Sequence, residues 1–464
     1  MSQPADAPSG WQELKAGGQL PVFASLLLGI WLHAASSMLA ATTLPRAVEE
    51  IGGTALVGWA FSLYQLGSIL AGAATGLFVA RFGLRRAFLL AGGLYGLGCL
   101  VSALAVDMPM MLGGRLLQGL GGGWMLALSY VALERLFPNH LLPRLIGVIS
   151  VVWSVSAFCG PLVGGTFSTF GLWRLAFWAF AGQAGIFLAA VLWLMPRDQG
   201  GAGAAASGLP MRRLLVLASA ILMVGAAGAE VRPLISPLLC LGGLALLWAF
   251  FRLDARVGVV KMFPSRPLSL ATPLGAGLVM VFMLSAASMS FLVYGPFLLD
   301  RIYGVTPLAA GYIVALESIG WGLASIVVSS LGRPPEGILI RLGPLVFLAS
   351  LLGFAVFMPV GPLWAIILCA LAAGAGFGMM WPFVVRRVIA AAPPEERDRA
   401  SAAQPTTQQM GFALGAAAAG IVANGAGFAE AASLAVVENV ALWVFAAFVP
   451  LVLIGVAAAW RLAR

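Results

Sequence analysis

The apolar residues of this chain fall into long, nearly uncharged blocks. Residues 88–106 and 270–298 contain no charged side chain, and about twenty such residues let an α-helix cross a hydrocarbon core of roughly 30 Å. The blocks are too long for barrel strands, and helices satisfy their own backbone hydrogen bonds. Only 9% of the 464 residues are charged, whereas soluble domains carry roughly 25%. The sequence therefore predicts an all-α integral membrane protein.

The blocks predict fourteen transmembrane helices in a 6 + 2 + 6 arrangement. The predicted spans are residues 20–43, 55–79, 88–106, 109–135, 145–169, 175–195, 214–230, 233–251, 270–298, 307–331, 340–359, 363–389, 402–424 and 439–460. The first six form a bundle at residues 20–195, and a linker at 196–213 connects it to an inserted pair at 214–251. A loop at 252–269 then leads to the second six-helix bundle at 270–460. The pair at 214–251 could also be a re-entrant hairpin, which would leave every other orientation unchanged.

The positive charges predict the orientation. Of the 26 lysines and arginines, 21 fall in the tail at 1–19 or in loops on the same side of the membrane as that tail. The positive-inside rule therefore places both termini in the cytoplasm. The tail has no basic start or cleavage site typical of a signal peptide. Because topology accounts for the net charge of +9, we expect no nucleic-acid partner.

Short motifs between and within the spans resemble those of the major facilitator superfamily. The stretch GLFVARFGLRR at 76–86 is similar to the loop motif of that superfamily, with Gly76, Arg81, Gly83 and Arg85 matching. The stretch RLLQGLGGGW at 115–124 is similar to its fourth-helix motif, in which an arginine precedes a glycine patch. The resemblance implies the superfamily fold and a transporter.

The fifth span resembles the signature of superfamily antiporters. The matching positions are Gly147, Ser156, Gly160, Pro161, Gly164 and Gly165. Small residues at 156, 160 and 164 lie on one helix face and allow close helix packing, and the proline removes a backbone donor. We interpret the segment as a hinge between the two bundles; ordinary close packing of a kinked helix is the alternative.

Other segments narrow the resemblance. The stretches at 301–311 and 391–415, together with the inserted pair, are similar to the fourteen-helix drug:proton antiporters. That family implies proton-coupled export by alternating access. We therefore expect a multi-pass protein of the bacterial inner membrane, monomeric, with small-molecule substrates and protons as partners besides the lipid bilayer.

This sequence departs from the family pattern in the loop motif and in span one. Ala80 replaces a usual aspartate and Leu84 a usual arginine, which puts the usual cytoplasmic gate in doubt. Glu134 could pair with Arg85 as a substitute latch, or form a surface salt bridge of little consequence. Ser36 stands where the drug antiporters usually carry a membrane aspartate.

Two charged residues are predicted to lie within the membrane. Charges there cost roughly 2.5–3.5 kcal/mol at a helix centre on insertion scales, so function is the first hypothesis. Glu317 lies ten residues into its span, about 15 Å deep, and we predict that it takes up and releases protons. Pairing with a buried polar neighbour is the alternative. The resemblance implies that Arg115 tunes the proton site from the central cavity; a structural arginine is the alternative.

Polar and aromatic residues could complete a substrate cavity. His33 shares a helix face with Ser36 and Ser37, and a free imidazole titrates near physiological pH. We therefore take it as a further proton-coupling candidate, with a packing histidine as the alternative. The remaining cavity candidates are Tyr64, Gln65, Tyr294, Trp321 and Trp381. A carboxylate beside aromatic surface suits an amphiphilic or cationic compound.

Two other classes of function are alternatives to export. One is proton-coupled uptake of a polar solute, against which the antiporter-like fifth span argues. The other is a membrane sensor without transport activity. An enzyme is not expected, since the chain has two histidines and no metalloprotease or phosphate-loop motif. The four cysteines lie in apolar blocks without metal-ligand spacing, so no metal or cofactor is expected.

Overall fold

The computed structural model describes residues 14–15, 18–196, 210–229, 231–257, 261–330, 335–430 and 433–464. Most of the predicted tail at 1–19 and of the linker at 196–213 lies outside these residues. The first six helices are α1 Leu20–Ile51, α2 Val57–Phe82, α3 Leu84–Ala103, α4 Met108–Leu136, α5 Leu142–Thr169 and α6 Trp173–Leu194. The inserted pair is α7 Met211–Ala229 and α8 Ile235–Arg256.

The last group of helices follows the loop that ends near residue 272. It comprises α9 Pro273–Tyr303, α10 Pro307–Ser330, α11 Glu336–Val360, α12 Leu363–Ala390, α13 Arg397–Gly425, α14 Leu434–Ala446 and α15 Val449–Leu462. The predicted last span, at 439–460, is two helices in the structure, with the break just before Pro450. Proline removes a backbone donor and is tolerated in the first turn of a new helix.

Thirteen stretches of the described chain are long and apolar enough to cross a membrane, and α14 with α15 counts as one of them. Helix α13 has 29 residues, which is long enough, but it is too polar to be among the thirteen. Its first turns carry Gln404, Thr406 and Thr407, and the glutamine donates a hydrogen bond to the carbonyl of Val385. The fourteenth crossing therefore stays a prediction.

The helices form two bundles. Helices α1 to α6 pack on one another, mainly through α3 with α4, α2 with α4 and α1 with α5. Helices α9 to α15 form the second bundle around α9, in which 89% of the residues of one apolar 18-residue stretch are buried. We call the side on which α1 begins the inner side, because the positive-inside rule assigns it to the cytoplasm, and the opposite side the outer side.

The two bundles meet along two helix pairs, α2 with α13 and α5 with α10. In the first pair, the hydroxyl of Ser62 donates to the carbonyl of Ala413 at 2.8 Å. In the second, the rings of Phe158 and Tyr312 lie 5.1 Å apart. These residues all lie in the outer halves of their helices. The contacts therefore seal the outer side of the molecule.

The inserted hairpin α7–α8 lies beside the α2–α13 seam. Helix α7 packs on α13 and touches α2. At the outer end, the amide of Asn424 donates to the carbonyls of Ala55 at 2.8 Å and of Gly228 at 2.6 Å. This one side chain therefore joins the second bundle to the first bundle and to the hairpin.

The inner end of the hairpin is fastened by a buried ion pair between Arg213 and Asp254, whose side chains are 8% and 3% exposed. Asp254 also accepts hydrogen bonds from the backbone amides of Met262 and Phe263, at 3.0 and 2.9 Å. The loop that follows is tied in turn to the second bundle, where the backbone amide of Ser265 donates to the carboxylate of Glu396 at 2.8 Å.

Candidate functional site

Arg115 on α4 is completely buried in the first bundle. Its guanidinium donates to Oε1 of Gln118 at 2.6 Å and lies 3.4 Å from the carbonyl and hydroxyl oxygens of Ser36. The same group stacks over the ring of Tyr64, 4.2 Å from its centroid. Such a cation–π contact stabilises a desolvated cation by about 2 kcal/mol. No carboxylate within the described chain forms an ion pair with Arg115, and its Nη2 has no hydrogen-bond partner there.

Gln118 was not singled out by sequence reasoning, although it is central to this cluster. Its oxygen accepts from Arg115, and its nitrogen lies 3.4 Å from both the Cys99 sulfur and the Ser102 hydroxyl on α3. The only signal in the sequence is its spacing, three residues after the arginine, which places both side chains on one helix face. The amide thus ties the buried cation to a neighbouring helix.

His33 is brought into the same cluster but is held by Tyr64. The tyrosine hydroxyl donates to the backbone carbonyl of His33 at 2.8 Å and lies 3.0 Å from its Nδ1. The two rings also stack, with centroids 5.5 Å apart. His33 is 3% exposed. These contacts favour the packing interpretation of His33, and its role in proton coupling stays a prediction.

The other first-bundle candidates lie close by. The Ser37 hydroxyl donates to the carbonyl of Ala34 in its own helix at 2.6 Å, so it is satisfied locally. Gln65 is partly buried, one residue beyond Tyr64 on α2. Ser36 is completely buried and lies directly beneath the arginine. The oxygens of Ser36 therefore contact the buried cation.

Glu317 lies in the second bundle, ten residues after the start of α10. It borders a small cavity shared with α9, α11 and α12, whose other lining residues include Ser288, Ser290, Phe291 and Phe354. Helix α12 approaches α10 so closely here that a β-carbon at Gly374 would overlap the carbonyl oxygen of Glu317. The structure does not bring Glu317 and Arg115 together, since they belong to different bundles.

An aromatic cluster follows Glu317 by one turn. Trp321 stacks on Phe377 with centroids 5.1 Å apart and lies 5.5 Å from Trp381. Tyr294 lies elsewhere, completely buried near the outer side and edge-on to Phe428 at 5.0 Å. The two tryptophans and Phe377 therefore form an aromatic cluster one turn along α10 from the acid, and Tyr294 belongs to the outer packing.

The glycine-rich segment of α5 has two differently used faces. Gly160 and Gly164 pack against α1, where added β-carbons would meet Met38 and Leu39. Pro161 and Gly165 instead face α10 of the other bundle, next to Gly311 and Leu308. Ser156 is buried, whereas Gly147, farther along the inner end, has open space around it. The small-residue stripe thus packs within the first bundle, and the residues beside it contact the second.

The loop motif at 76–86 contains the end of α2 and the start of α3, which are joined by a single residue. Gly83 lies between α2 and α3 with φ of +81°, a conformation that glycine adopts without the steric penalty of other residues. Arg85 donates to the carbonyl of Leu192 at the end of α6. Arg81 is exposed and its guanidinium lies 5.5 Å from the Phe82 ring. The turn therefore joins α2, α3 and α6 on the inner side.

Two further motif residues are loosely surrounded. Gly76 has no neighbour within 4 Å of an added β-carbon, so close packing does not require a glycine at this position in the structure. Glu134 is exposed near the inner end of α4. Its pairing with Arg85 stays a prediction.

Comparison with protein families and known proteins gives a consistent result. The family model of the Major Facilitator Superfamily matches residues 26–345. A protein named "Probable multidrug-efflux transporter" from Mycobacterium tuberculosis is 32% identical over 93% of this chain and 93% of its own. An uncharacterized transporter from Escherichia coli K12 is 24% identical over 86% of this chain and 88% of its own.

Solved structures share the fold at low sequence identity. The crystal structure of a peptide transporter superposes with a TM-score of 0.69 at 14% identity, covering 96% of this chain and 95% of that one. The crystal structure of the nucleoside transporter NupG superposes with a TM-score of 0.63 at 14% identity, covering 94% of this chain and 98% of that one. At this identity the likeness identifies the architecture alone.

Proposed function

The chain belongs to the major facilitator superfamily, and from that premise we propose that it exports small amphiphilic or cationic compounds in exchange for protons. It is a membrane transporter rather than an enzyme. Export of drug-like compounds is supported by the M. tuberculosis relative, whose name specifies multidrug efflux and which aligns over nearly its whole length. The motif in α5 supports exchange rather than uptake.

The observation that carries the proton-coupling proposal is the position of Glu317. This carboxyl lies about 15 Å into α10 and borders a cavity, and no ion pair within the described chain includes it. Ionising a carboxyl in such surroundings is expensive unless water or a cation is present. A change in hydration or substrate occupancy can therefore load and unload a proton there.

The neighbouring surface fits the proposed substrates. Trp321 lies one turn after the acid on α10, and its ring centroid is 5.5 Å from that of Trp381 on α12. Aromatic faces attract organic cations as well as apolar rings. A lipophilic cation could thus take the place of a proton near Glu317, which is the exchange that antiport requires.

Arg115 supplies the fixed charge of the first bundle. Because no described carboxylate pairs with it, the cation is offset mainly by the dipoles of Gln118 and Ser36 and by the Tyr64 ring. A permanent positive charge opposes the presence of a second cation nearby. We infer that it favours release of the proton or cationic substrate when the two bundles approach.

The outer contacts between the bundles support alternating access, and we infer that this structure represents a state closed on the outer side. Rocking the bundles would separate α2 from α13 and α5 from α10 at their outer ends. The proposal includes fourteen crossings, with both termini in the cytoplasm and a location in the bacterial inner membrane as a monomer. It also assigns the inserted hairpin to the second bundle.

A transport assay with a matched control tests the proton site. Glu317→Gln keeps the shape of the side chain and removes its titration, while Glu49→Gln makes the same change at an exposed outer-side residue paired with Arg46. In inverted membrane vesicles with an imposed proton gradient, we expect wild type and Glu49→Gln to accumulate ethidium. Glu317→Gln should lose gradient-driven accumulation by at least about tenfold, as removal of an essential acid/base group does.

Substrate exchange separates the proton site from the transport function. Glu317→Gln should still exchange external for internal ethidium in the absence of a gradient. If this variant accumulates ethidium as wild type does, the assignment of Glu317 is wrong. If wild type accumulates none of a panel of amphiphilic compounds and instead drives uptake of a polar solute, the export proposal is wrong.

A further inference from the structure

An open cleft of about 400 Å³ lies at the inner side of the second bundle, away from the transport site. We call it the basic cleft. Its lining residues are Pro335, Glu336, Gly337, Ile338, Arg341 and Arg387. The cleft is formed where the start of α11 meets the end of α12, and the backbone of Ala463 at the end of α15 borders Gly337.

The charges at the cleft are predominantly positive. Glu336, the acid in its lining, is engaged by both Arg386 and Arg387. Arg387 also donates to the carbonyl of Leu462 at 2.9 Å. Arg341 has no carboxylate partner within the described chain, and its Nε forms no hydrogen bond there. Two guanidinium groups thus engage the carboxylate of Glu336, and Arg341 adds a third cation in the cleft lining. The sum is a net charge of about +2 at an opening of ligand size.

The setting matches the headgroup region of a bilayer. Arg341 stacks on the ring of Trp460, with its guanidinium carbon 4.9 Å from the centroid. Tryptophan is enriched at the membrane–water interface, and Arg461 and Arg464 follow it in the chain. Basic pockets between membrane helices on the cytoplasmic side bind anionic lipid headgroups. The planar arginine fork also matches two oxygens of a phosphate group.

We propose that the basic cleft binds a phosphate-bearing anion, with Arg341 and Arg387 as its cationic ligands. The phosphate can come from an anionic phospholipid in the inner leaflet or from a soluble phosphate ester. Arg386 holds Glu336 and so keeps its carboxylate turned to a cation rather than to the ligand. The site is separate from transport chemistry and does not depend on the proposed substrates.

The test compares lipid retention by the purified full-length protein. Wild type, Arg341→Gln and Arg252→Gln are transferred into mixed micelles containing phosphatidylglycerol or phosphatidylcholine, and bound lipid is counted by native mass spectrometry. Arg252 is a matched control, because it lies over Trp248 at 4.7 Å but does not line the cleft. Size-exclusion profiles and helical circular dichroism verify that each variant is folded.

We expect wild type and Arg252→Gln to retain phosphatidylglycerol in preference to phosphatidylcholine. Arg341→Gln should bind the anionic lipid about fivefold more weakly, as the loss of one basic residue near a bilayer surface predicts. Arg341→Lys, which keeps the charge but loses the planar fork, should bind with intermediate affinity and provides a second, milder variant.

Soluble competitors distinguish the source of the phosphate. If millimolar glycerol 3-phosphate or inorganic phosphate displaces the retained phosphatidylglycerol, the cleft takes soluble phosphate compounds as well. If neither does, the ligand is the lipid. The proposal is overturned if Arg341→Gln and Arg341→Lys retain the lipid as wild type does, with neither phosphate compound binding in an Arg341-dependent manner. It is also overturned if Arg252→Gln loses as much lipid as Arg341→Gln.

Discussion

Replacing Asp254 by leucine should destabilise the protein strongly, although this residue is far from the candidate transport site. The carboxylate is 3% exposed and pairs with Arg213, which is 8% exposed. It also accepts the backbone amides of Met262 and Phe263. Removing one member of a buried ion pair costs about 3–5 kcal/mol, and a buried amide that loses its acceptor costs about 1–3 kcal/mol. We therefore expect a loss of at least about 4 kcal/mol.

The assay is unfolding of the detergent-solubilised protein, followed by circular dichroism and tryptophan fluorescence. Glu49→Leu is the matched control, because its pair with Arg46 is 2.7 Å long but both side chains are more than a third exposed. An exposed pair contributes at most about 1 kcal/mol. The variant with both Arg213→Met and Asp254→Leu should recover part of the lost unfolding free energy, because both charges of the buried pair are then removed together.

Two outcomes would refute this reasoning. In the first, Asp254→Leu unfolds no earlier than Glu49→Leu, which would mean that the carboxylate is not desolvated in the membrane-embedded protein. In the second, the double variant is no more stable than Asp254→Leu, which would assign the loss to the backbone amides instead of the ion pair.

Two further predictions concern the seam and the inner loop. A β-carbon at Gly58 would lie 2.7 Å from the carbonyl oxygen of Ala416, so Gly58→Val should lower the equilibrium population of the outer-sealed state relative to the open one by about 5–150-fold. The measurement is faster thiol labelling of a cysteine introduced in the outer seam. Gly72→Val, in open space on the same helix, should leave the labelling rate unchanged. Burial opposes ionisation of Glu396, but hydrogen bonds from the Ser265 hydroxyl and amide outweigh it and lower the pKa of Glu396. The hydrogen bonds between Ser265 and the Glu396 carboxylate should therefore be fully formed above the ordinary glutamate pKa and be lost as the pH falls through the lowered pKa of Glu396. Their loss should appear as faster hydrogen exchange of the Ser265 amide after correction for intrinsic rates; unchanged protection would contradict the prediction.

The helices were largely predictable, because the bilayer demands long apolar segments whatever the tertiary structure. The predicted starts of α1 and α10 agree with the structure at residues 20 and 307. Helix α13 shows the limit of this reasoning. Its polar side chains are acceptable because it packs between α9, α2 and α7, and that packing cannot be read from composition.

The candidate site was only partly predictable. Charges inside apolar segments are conspicuous, so Arg115 and Glu317 could be found from the sequence. Gln118 and Asn424 could not, since an amide becomes informative only when its partners are known, and those partners lie on other helices. The predicted spans already assigned the two charged residues to separate bundles, but they could not reveal that Arg115 is held by Gln118, Ser36 and the Tyr64 ring.

The two faces of α5 make this helix unusually sensitive to changes in its length. Gly164 points to α1 and Gly165 to α10, so adjacent residues serve different neighbours. Inserting one residue ahead of them would rotate everything downstream by about 100° and advance it by about 1.5 Å. The glycine now against the second bundle would then turn away from it, and a bulkier neighbour would enter the contact. Substitutions along this segment can be compensated locally, but its residue count must be conserved for both contacts to persist.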